Sequence, residues 1–435
     1  METFRKQLVD ADAAAKRVRS GDLVRLPMGP VPVTLINALA RRRDELSGVR
    51  VLQGATRHPH PWATAEPGWE AHVEFVTDFI SAPIRQSIES RRGDFAVTDY
   101  GITSKVLTGG RHDGLTANVF MALVSEPDAD GCVSFGYSLW HSKTLLETAK
   151  LRIAEVGRDV LRTGGDNRVP LSAFDLVVEQ TESPMPVPIP ELSPERLEVT
   201  EVIGAYVSTL VNDGDTLQIG TGTLSSCMGS YLMEKHDLGI DSEILVASAV
   251  ELVKCGAATG RNKTCRPGVA TASFIVPGAD FAFCAGNSLI ELYDIEWVNN
   301  LPRIAGLRNL VTINQASTID LTGQVASESI GPVMYTGPGG QLVWTMGALM
   351  APGGRAIHVL PSTARNGNLS RIIAQHAPGT IITVPRAFVD FVVSEHGIIN
   401  LQGLTQRQRA MALIDLAHPT FRAQLRDAAR RLFWP

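Results

Sequence analysis

Short apolar runs recur along the chain, separated by segments of helical patterning. Met121–Val124, Ile153–Val156, Leu176–Val178, Leu310–Ile313, Ile357–Leu360, Ile381–Val384 and Phe391–Val393 are examples, most of them read as continuous apolar runs rather than strict alternations. Continuity of this kind predicts strands buried on both faces. Ala13–Val18 and Val202–Val211 are among the segments that predict helices. Strands interleaved with helices predict α/β domains with mainly parallel sheets. In such sheets ligands gather at the carboxyl ends of strands, so the Gly-rich turns there are the places to search for chemistry.

The pattern is interrupted once, at Ser183-Pro184-Met185-Pro186-Val187-Pro188-Ile189-Pro190. Alternating prolines fit neither a helix nor a central strand, and the stretch reads as an extended linker. It separates an expected domain over 1–182 from a second over 191–435. The two halves begin alike. Gly21-Asp22-Leu23-Val24-Arg25-Leu26-Pro27-Met28-Gly29 is echoed by Gly214-Asp215-Thr216-Leu217-Gln218-Ile219-Gly220-Thr221-Gly222. In each, a helical segment leads into Gly-Asp, a short apolar strand and a Gly turn, which points to internal duplication.

Composition narrows the class. The chain has 435 residues, 44% hydrophobic and 20% charged, enough apolar material for the cores of two domains. A net charge of −5 makes nucleic acid an unexpected partner. Cys132, Cys227, Cys255, Cys265 and Cys284 form neither a CxxC nor a closely spaced set, so neither a disulfide framework nor a zinc ribbon is expected. The start, Met1-Glu2-Thr3-Phe4-Arg5-Lys6, lacks an apolar signal core, and no apolar run reaches the ~18 residues of a membrane span. A cytoplasmic protein without membrane association is the expectation.

Four segments could carry chemistry. Gly220-Thr221-Gly222-Thr223-Leu224 follows a strand, and could be a tight turn or a place where backbone N–H groups meet an anionic ligand. It lacks the spacing of a dinucleotide fingerprint and the Gly-Lys-Ser/Thr of a P-loop. Glu243 lies between a turn and an apolar run. It is either an exposed acid at a strand end or a carboxylate nucleophile, which requires partial burial and nearby donors. The loop Tyr335-Thr336-Gly337-Pro338-Gly339-Gly340-Gln341 could offer several backbone N–H groups to one ligand or be plain surface. Arg365, in a polar turn after a strand, is a candidate phosphate contact or a solvated arginine. His58, His60, His396 and His418 are isolated, no HExxH or zinc-spaced set is present, and no metal is expected. There is no GxSxG elbow, and the Arg162–Asp166 turn is expected to be structural.

The order and spacing of further motifs resemble the acetyl-CoA hydrolase/transferase family. The resemblance runs through Ile153-Ala154-Glu155-Val156, Leu217-Gln218-Ile219-Gly220-Thr221-Gly222 and Asp237-Leu238-Gly239-Ile240-Asp241-Ser242-Glu243. It continues through Asn314-Gln315-Ala316, Asp320–Val325, Glu328–Gly331, Gly339-Gly340-Gln341, Leu360–Thr363, Ser394–Ile398 and Ala417–Arg422. It implies two related open α/β domains of CoA-transferase type, with the active site in the cleft between them. It implies ping-pong transfer of CoA from an acyl-CoA to a carboxylic acid, with Glu243 as the nucleophile. Gly220, Thr221, Gly222, Thr223, Leu224, Gly337, Gly339, Gly340 and Gln341 would then hold CoA and donate to oxyanions. Arg365 would meet its phosphates, and Asn299 would stand near Glu243. No permanently bound cofactor is implied, because coenzyme A and acyl-CoA are substrates; a homo-oligomer is left open.

Two departures from the family pattern bear on the acyl group. Ile244-Leu245-Val246-Ala247-Ser248-Ala249 stands where Met, an apolar residue and Ser-Asp-Gly are usual. Leu342-Val343-Trp344 replaces an apolar residue, Asp and Phe. Both remove an acid and add apolar bulk; either a longer, branched or aromatic acyl chain is expected over acetate, or these residues only repack the pocket wall. The alternatives are an acyl-CoA hydrolase on the same scaffold and a non-catalytic acyl-CoA-binding protein.

Overall fold

The structure, a computed structural model, describes residues 8–102, 116–184 and 194–435. Residues 185–190 of the proline stretch and Met1–Lys6 lie outside the described residues. Two compact units divide the chain: Met1–Ile189 with Phe281–Val298, and Pro190–Asp280 with Asn299–Pro435. The division is therefore not a single cut at the proline stretch. Residues 281–298 fold with the first unit because Ile290–Leu292 pairs in parallel with Gly164–Gly165 and the Ile295 N–H donates to the Trp140 carbonyl at 3.1 Å. This pairing gives the Arg162–Asp166 turn a structural role.

The first unit is built on seven strands: β1 (Leu23–Leu26), β2 (Val49–Gln53), β3 (Val73–Thr77), β4 (Gly93–Phe95), β5 (Val119–Ser125), β6 (Leu151–Gly157) and β7 (Leu176–Glu179). They lie in the order β7-β6-β5-β1-β2-β3-β4, every pair parallel. All seven residues of β5 are buried, as its unbroken apolar run required. Helix α1 (Val33–Arg41) buries Leu35, Ile36 and Leu39 in the same core as Val24, Val51 and Phe75. Its N-cap, Pro32, has no side chain able to accept a hydrogen bond. That task falls to Glu155 of β6, whose carboxylate accepts the Leu35 N–H at 3.0 Å and the Thr34 N–H at 3.4 Å.

In the second unit α2 (Pro194–Thr209) precedes β8 (Thr216–Ile219), β9 (Gly239–Ile240), β10 (Leu310–Gln315), β11 (Arg355–Val359), β12 (Phe391–Ser394) and β13 (Gly397–Asn400). Their order is β9-β8-β10-β11-β12-β13, parallel except for the closing β12–β13 hairpin. Helices α3 (Ala247–Lys254), α4 (Gln341–Met350), α5 (Gln406–Leu416) and α6 (Pro419–Phe433) complete the elements used below. A core of Ile319, Leu321, Val384, Val392, Leu413, Ile414 and Leu425 packs α5 and α6 beside the sheet. One expected strand does not form. Ile381–Val384 contributes only an isolated bridge from Val384 to Val325, since Pro385 follows at once and cannot extend a ladder.

The two opening turns match in detail. Gly21 and Gly214 have φ of +81° and +78°, a region favouring glycine. Asp22 accepts the Arg19 N–H at 2.8 Å, and Asp215 accepts the Asn212 N–H at 2.6 Å. The Asp22 carbonyl then meets the Arg50 N–H at 2.9 Å and the Asp215 carbonyl the Gly239 N–H at 2.8 Å, each at the start of the neighbouring strand. In both sheets the opening strand has the next strand on one side and a later one on the other. The carboxyl ends of β1 and β8 are thus topological switch points, the places where α/β sheets open a crevice.

Candidate functional site

Glu243 sits where the chain passes from β9 toward α3, in a segment held on both sides. The Asp241 N–H donates to the Leu217 carbonyl and the Ser242 N–H to the Thr271 carbonyl, both at 3.0 Å; the Glu243 carbonyl accepts from Ser273 at 3.0 Å. Asp241 anchors this segment from below. Its fully buried carboxylate takes both prongs of the Arg303 guanidinium, at 3.0 and 2.8 Å, with Lys263 Nζ at 3.7 Å. Burial alone would push the Asp241 carboxyl up, but the two cations outweigh it and hold the group below the usual carboxylate range. Lys263, lowered by burial, also donates to the Ile240 carbonyl at 2.8 Å and to Thr271 Oγ1 at 3.0 Å.

The Glu243 side chain is not an exposed acid: only 7% of the residue is accessible. Asn299 Nδ2 donates to its Oε2 at 2.6 Å, and Trp344 Nε1 donates to Asn299 Oδ1 at 2.9 Å. Asn299 is placed by the next residue, Asn300, which accepts the Arg303 N–H at 3.0 Å and caps the helical turn Leu301–Ala305. Arg303 thus joins the Asn299 segment to Asp241, two residues before the glutamate. That turn packs on α4 at Gly347, where a Cβ would overlap Ile304. Helix α4 starts at Gly340, and a Cβ there would overlap Glu243 Oε2 and lie 2.9 Å from both Asn299 Nδ2 and Trp344 Cδ1. Only glycine lets the helix start come so close to the carboxylate. Proximity to a helix N-terminus favours negative charge on that oxygen.

The remaining expected residues divide. The Gly220–Leu224 turn lies at the carboxyl end of β8, with a Cβ at Gly222 excluded by Gln315, and Leu224 N–H donating to Gln315 Oε1 at 2.8 Å. The Gln315 carbonyl in turn accepts from Gln341 Nε2 at 3.4 Å, so one side chain and its backbone tie this turn to the start of α4. Thr221 and Thr223 are exposed. Gly339, with φ +57°, is a second close approach, where a Cβ would stand 3.9 Å from Glu243 Oε1. Ahead of Gly337, the Tyr335 and Thr336 N–H groups donate to the carbonyl of buried Glu328, at 2.8 and 3.1 Å, which fixes the loop's entry. Arg365 occupies the exposed turn between Thr363–Ala364 and Leu369–Ser370, with φ +49°.

Sequence reasoning did not assign roles to Asp241, Arg303, Gln315 or Asn314. Asn314 Nδ2 donates to Gln218 Oε1 at 2.8 Å beside Gly220, where a Cβ would overlap Asn314 Oδ1. A signal was available, because Gln218, Asn314 and Gln315 are amide side chains in strands whose other residues are aliphatic or threonine. Trp344, expected to border the acyl group, is fully buried and faces Asn299 and Gly340.

Residues 1–190 match the acetyl-CoA hydrolase/transferase N-terminal domain, and residues 280–429 the corresponding C-terminal domain. The chain is 34% identical to a 4-hydroxybutyrate coenzyme A transferase of Clostridium kluyveri, covering 99% of each chain. It is 33% identical to a succinyl-CoA:cyclohexane-1-carboxylate CoA transferase of Geobacter metallireducens, over 99% of this chain and 96% of the other. Among solved structures, RipA from Yersinia pestis superposes with a TM-score of 0.89 at 28% identity, over 100% of this chain and 99% of that one.

Proposed function

The chain belongs to the acetyl-CoA hydrolase/transferase family, and from that premise we propose that it is a CoA-transferase using Glu243 as its nucleophile. The observation that carries the reading is the buried Glu243 carboxylate, donated to by Asn299 and set against the glycine start of α4. A glutamate kept this far from water, with a donor in place, has the surroundings a carboxylate nucleophile needs.

The chemistry balances without ATP. Glu243 attacks the thioester carbonyl of the donor, the carbon–sulfur bond breaks, and CoA leaves as the thiolate from an acyl-glutamyl anhydride. The thiolate adds to the glutamyl carbonyl, the donor acid departs as its carboxylate, and a glutamyl-CoA thioester remains. An acceptor carboxylate attacks that thioester, forms a second anhydride and expels the thiolate, which then attacks the acceptor's acyl carbonyl to form the new acyl-CoA and releases Glu243 as its free carboxylate. Each intermediate keeps the activation of the original thioester, so water must be kept out. The Gly220–Leu224 turn and the Gly337–Gln341 loop are the segments we assign to CoA, with Arg365 as a contact to its phosphates. Buried Val246 and Val343 are consistent with an apolar acyl group.

Incubation with acyl-CoA followed by borohydride tests the reading. Hydride reduces a glutamyl thioester to an alcohol, and the peptide containing Glu243 should change mass accordingly. Label on another residue, or full activity in Glu243→Ala, refutes it. Release of free acid at the full rate without an acceptor would instead favour the hydrolase.

A further inference from the structure

We propose that Trp344 is a positioning residue for Glu243: its indole N–H fixes the Asn299 amide in the one orientation that turns an N–H toward the glutamate. The proposal rests on Glu243 as nucleophile and goes beyond it by naming the group that orients the nucleophile's partner.

An asparagine amide has two ends of nearly equal size, and its orientation is settled by what each end meets. Asn299 is fully buried, so water cannot satisfy a wrong choice. On one side stands the indole nitrogen of Trp344, which can only donate; on the other stands a carboxylate, which when ionised can only accept. With Oδ1 at 2.9 Å from Trp344 Nε1 and Nδ2 at 2.6 Å from Glu243 Oε2, both neighbours are satisfied. Turning the amide over would set oxygen against oxygen and N–H against N–H, leaving buried donors and acceptors unpaired.

Phe in place of Trp344 would fill similar space but leave Asn299 Oδ1 without this donor. Trp344 is itself held: its backbone N–H donates to the Gly340 carbonyl at 3.0 Å in the first turn of α4. The indole therefore ties the amide to the helix whose start adjoins the carboxylate. When the CoA thiolate adds to the glutamyl carbonyl, negative charge grows on the glutamyl oxygen. Asn299 N–H, already aimed at Oε2, stabilises it without reorganising. Trp344 touches none of the reacting atoms; it acts through Asn299.

Trp344→Phe keeps the ring and removes the donor. We expect kcat to fall about ten- to a hundredfold, with the KM for acyl-CoA changed less than about twofold, as for an interaction that strengthens when charge grows on the glutamyl oxygen in the transition state. In that background a further Asn299→Ala should cost little, although the same change in the wild type costs the full effect. An unchanged kcat, a rise confined to KM, or losses that simply multiply would each overturn the proposal. The hydrogen bond is also read without turnover. The indole proton resonance missing from Trp344→Phe should exchange slowly in the wild type and shift on Asn299→Ala. A solvent-exchanging indole refutes the arrangement. Absent transfer with an intact, coupled indole signal would instead count against the nucleophile reading.

Discussion

At the scale of single residues, the site depends on a hydrogen atom. Gly340 has no room for a methyl group, since the space is taken by Glu243 Oε2, Asn299 Nδ2 and Trp344 Cδ1. Gly340→Ala should therefore displace the carboxylate or the helix start. A shift of about 1 Å at a reacting group can cost on the order of a hundredfold in rate. Steady-state kinetics should show that loss while circular dichroism stays native; wild-type kinetics would mean that α4 can move aside freely. Glu243→Asp belongs to the same scale, its carboxylate one methylene short of the Asn299 donor, and should lose about as much.

Elements meet at Asp241. It anchors the segment carrying Glu243, and its partner Arg303 belongs to the helical turn that follows Asn299. One ion pair thereby fixes both ends of the Asn299–Glu243 hydrogen bond. A buried pair of this kind adds little over an apolar replacement, but breaking it leaves charge stranded, at about 3–5 kcal/mol. Asp241→Asn should lower the unfolding free energy by roughly that amount in chemical denaturation, and Arg303→Lys should lower it less because it keeps a positive charge beside Asp241 and loses only the two-pronged geometry. A loss under about 1 kcal/mol would mean that the pair does not anchor the segment.

For the whole molecule, pH enters through Glu155. Burial, only partly offset by the Leu35 and Thr34 hydrogen bonds, raises its pKa from 4.5 to about 7. The folded state therefore holds this proton more tightly than the unfolded chain. Its contribution is full below pH 4.5 and is lost as pH rises through about 7. His60 and His141, lowered to about 3 by burial, act in the opposite sense: the unfolded chain takes up protons below pH 6.5 that the fold refuses. The difference between wild type and Glu155→Gln isolates the first effect. The variant should lack the part of the decline in stability between pH 5 and 7.5 that Glu155 causes, on the order of 3 kcal/mol at most. Parallel stability curves would refute the assignment.

The hydrophobic pattern by itself determined the α/β class, six of seven buried strands and the repeated Gly-Asp opening, because strand burial and positive-φ turns restrict which residues can stand there. The pattern alone left Glu243 as an acid between a turn and an apolar run, either exposed or functional; only the resemblance to the family motif singled it out. Tertiary structure decided the rest. That residues 281–298 join the first unit follows from a strand pairing more than a hundred positions distant in sequence. That Glu155 caps a helix follows from Pro32 lacking a side-chain acceptor, a need that no local reading connects to β6. Trp344 reads along the chain as apolar bulk. Its indole N–H gained meaning only when folding placed Asn299, 45 positions away, within 2.9 Å, since a hydrogen bond depends on direction and distance and periodicity reports neither.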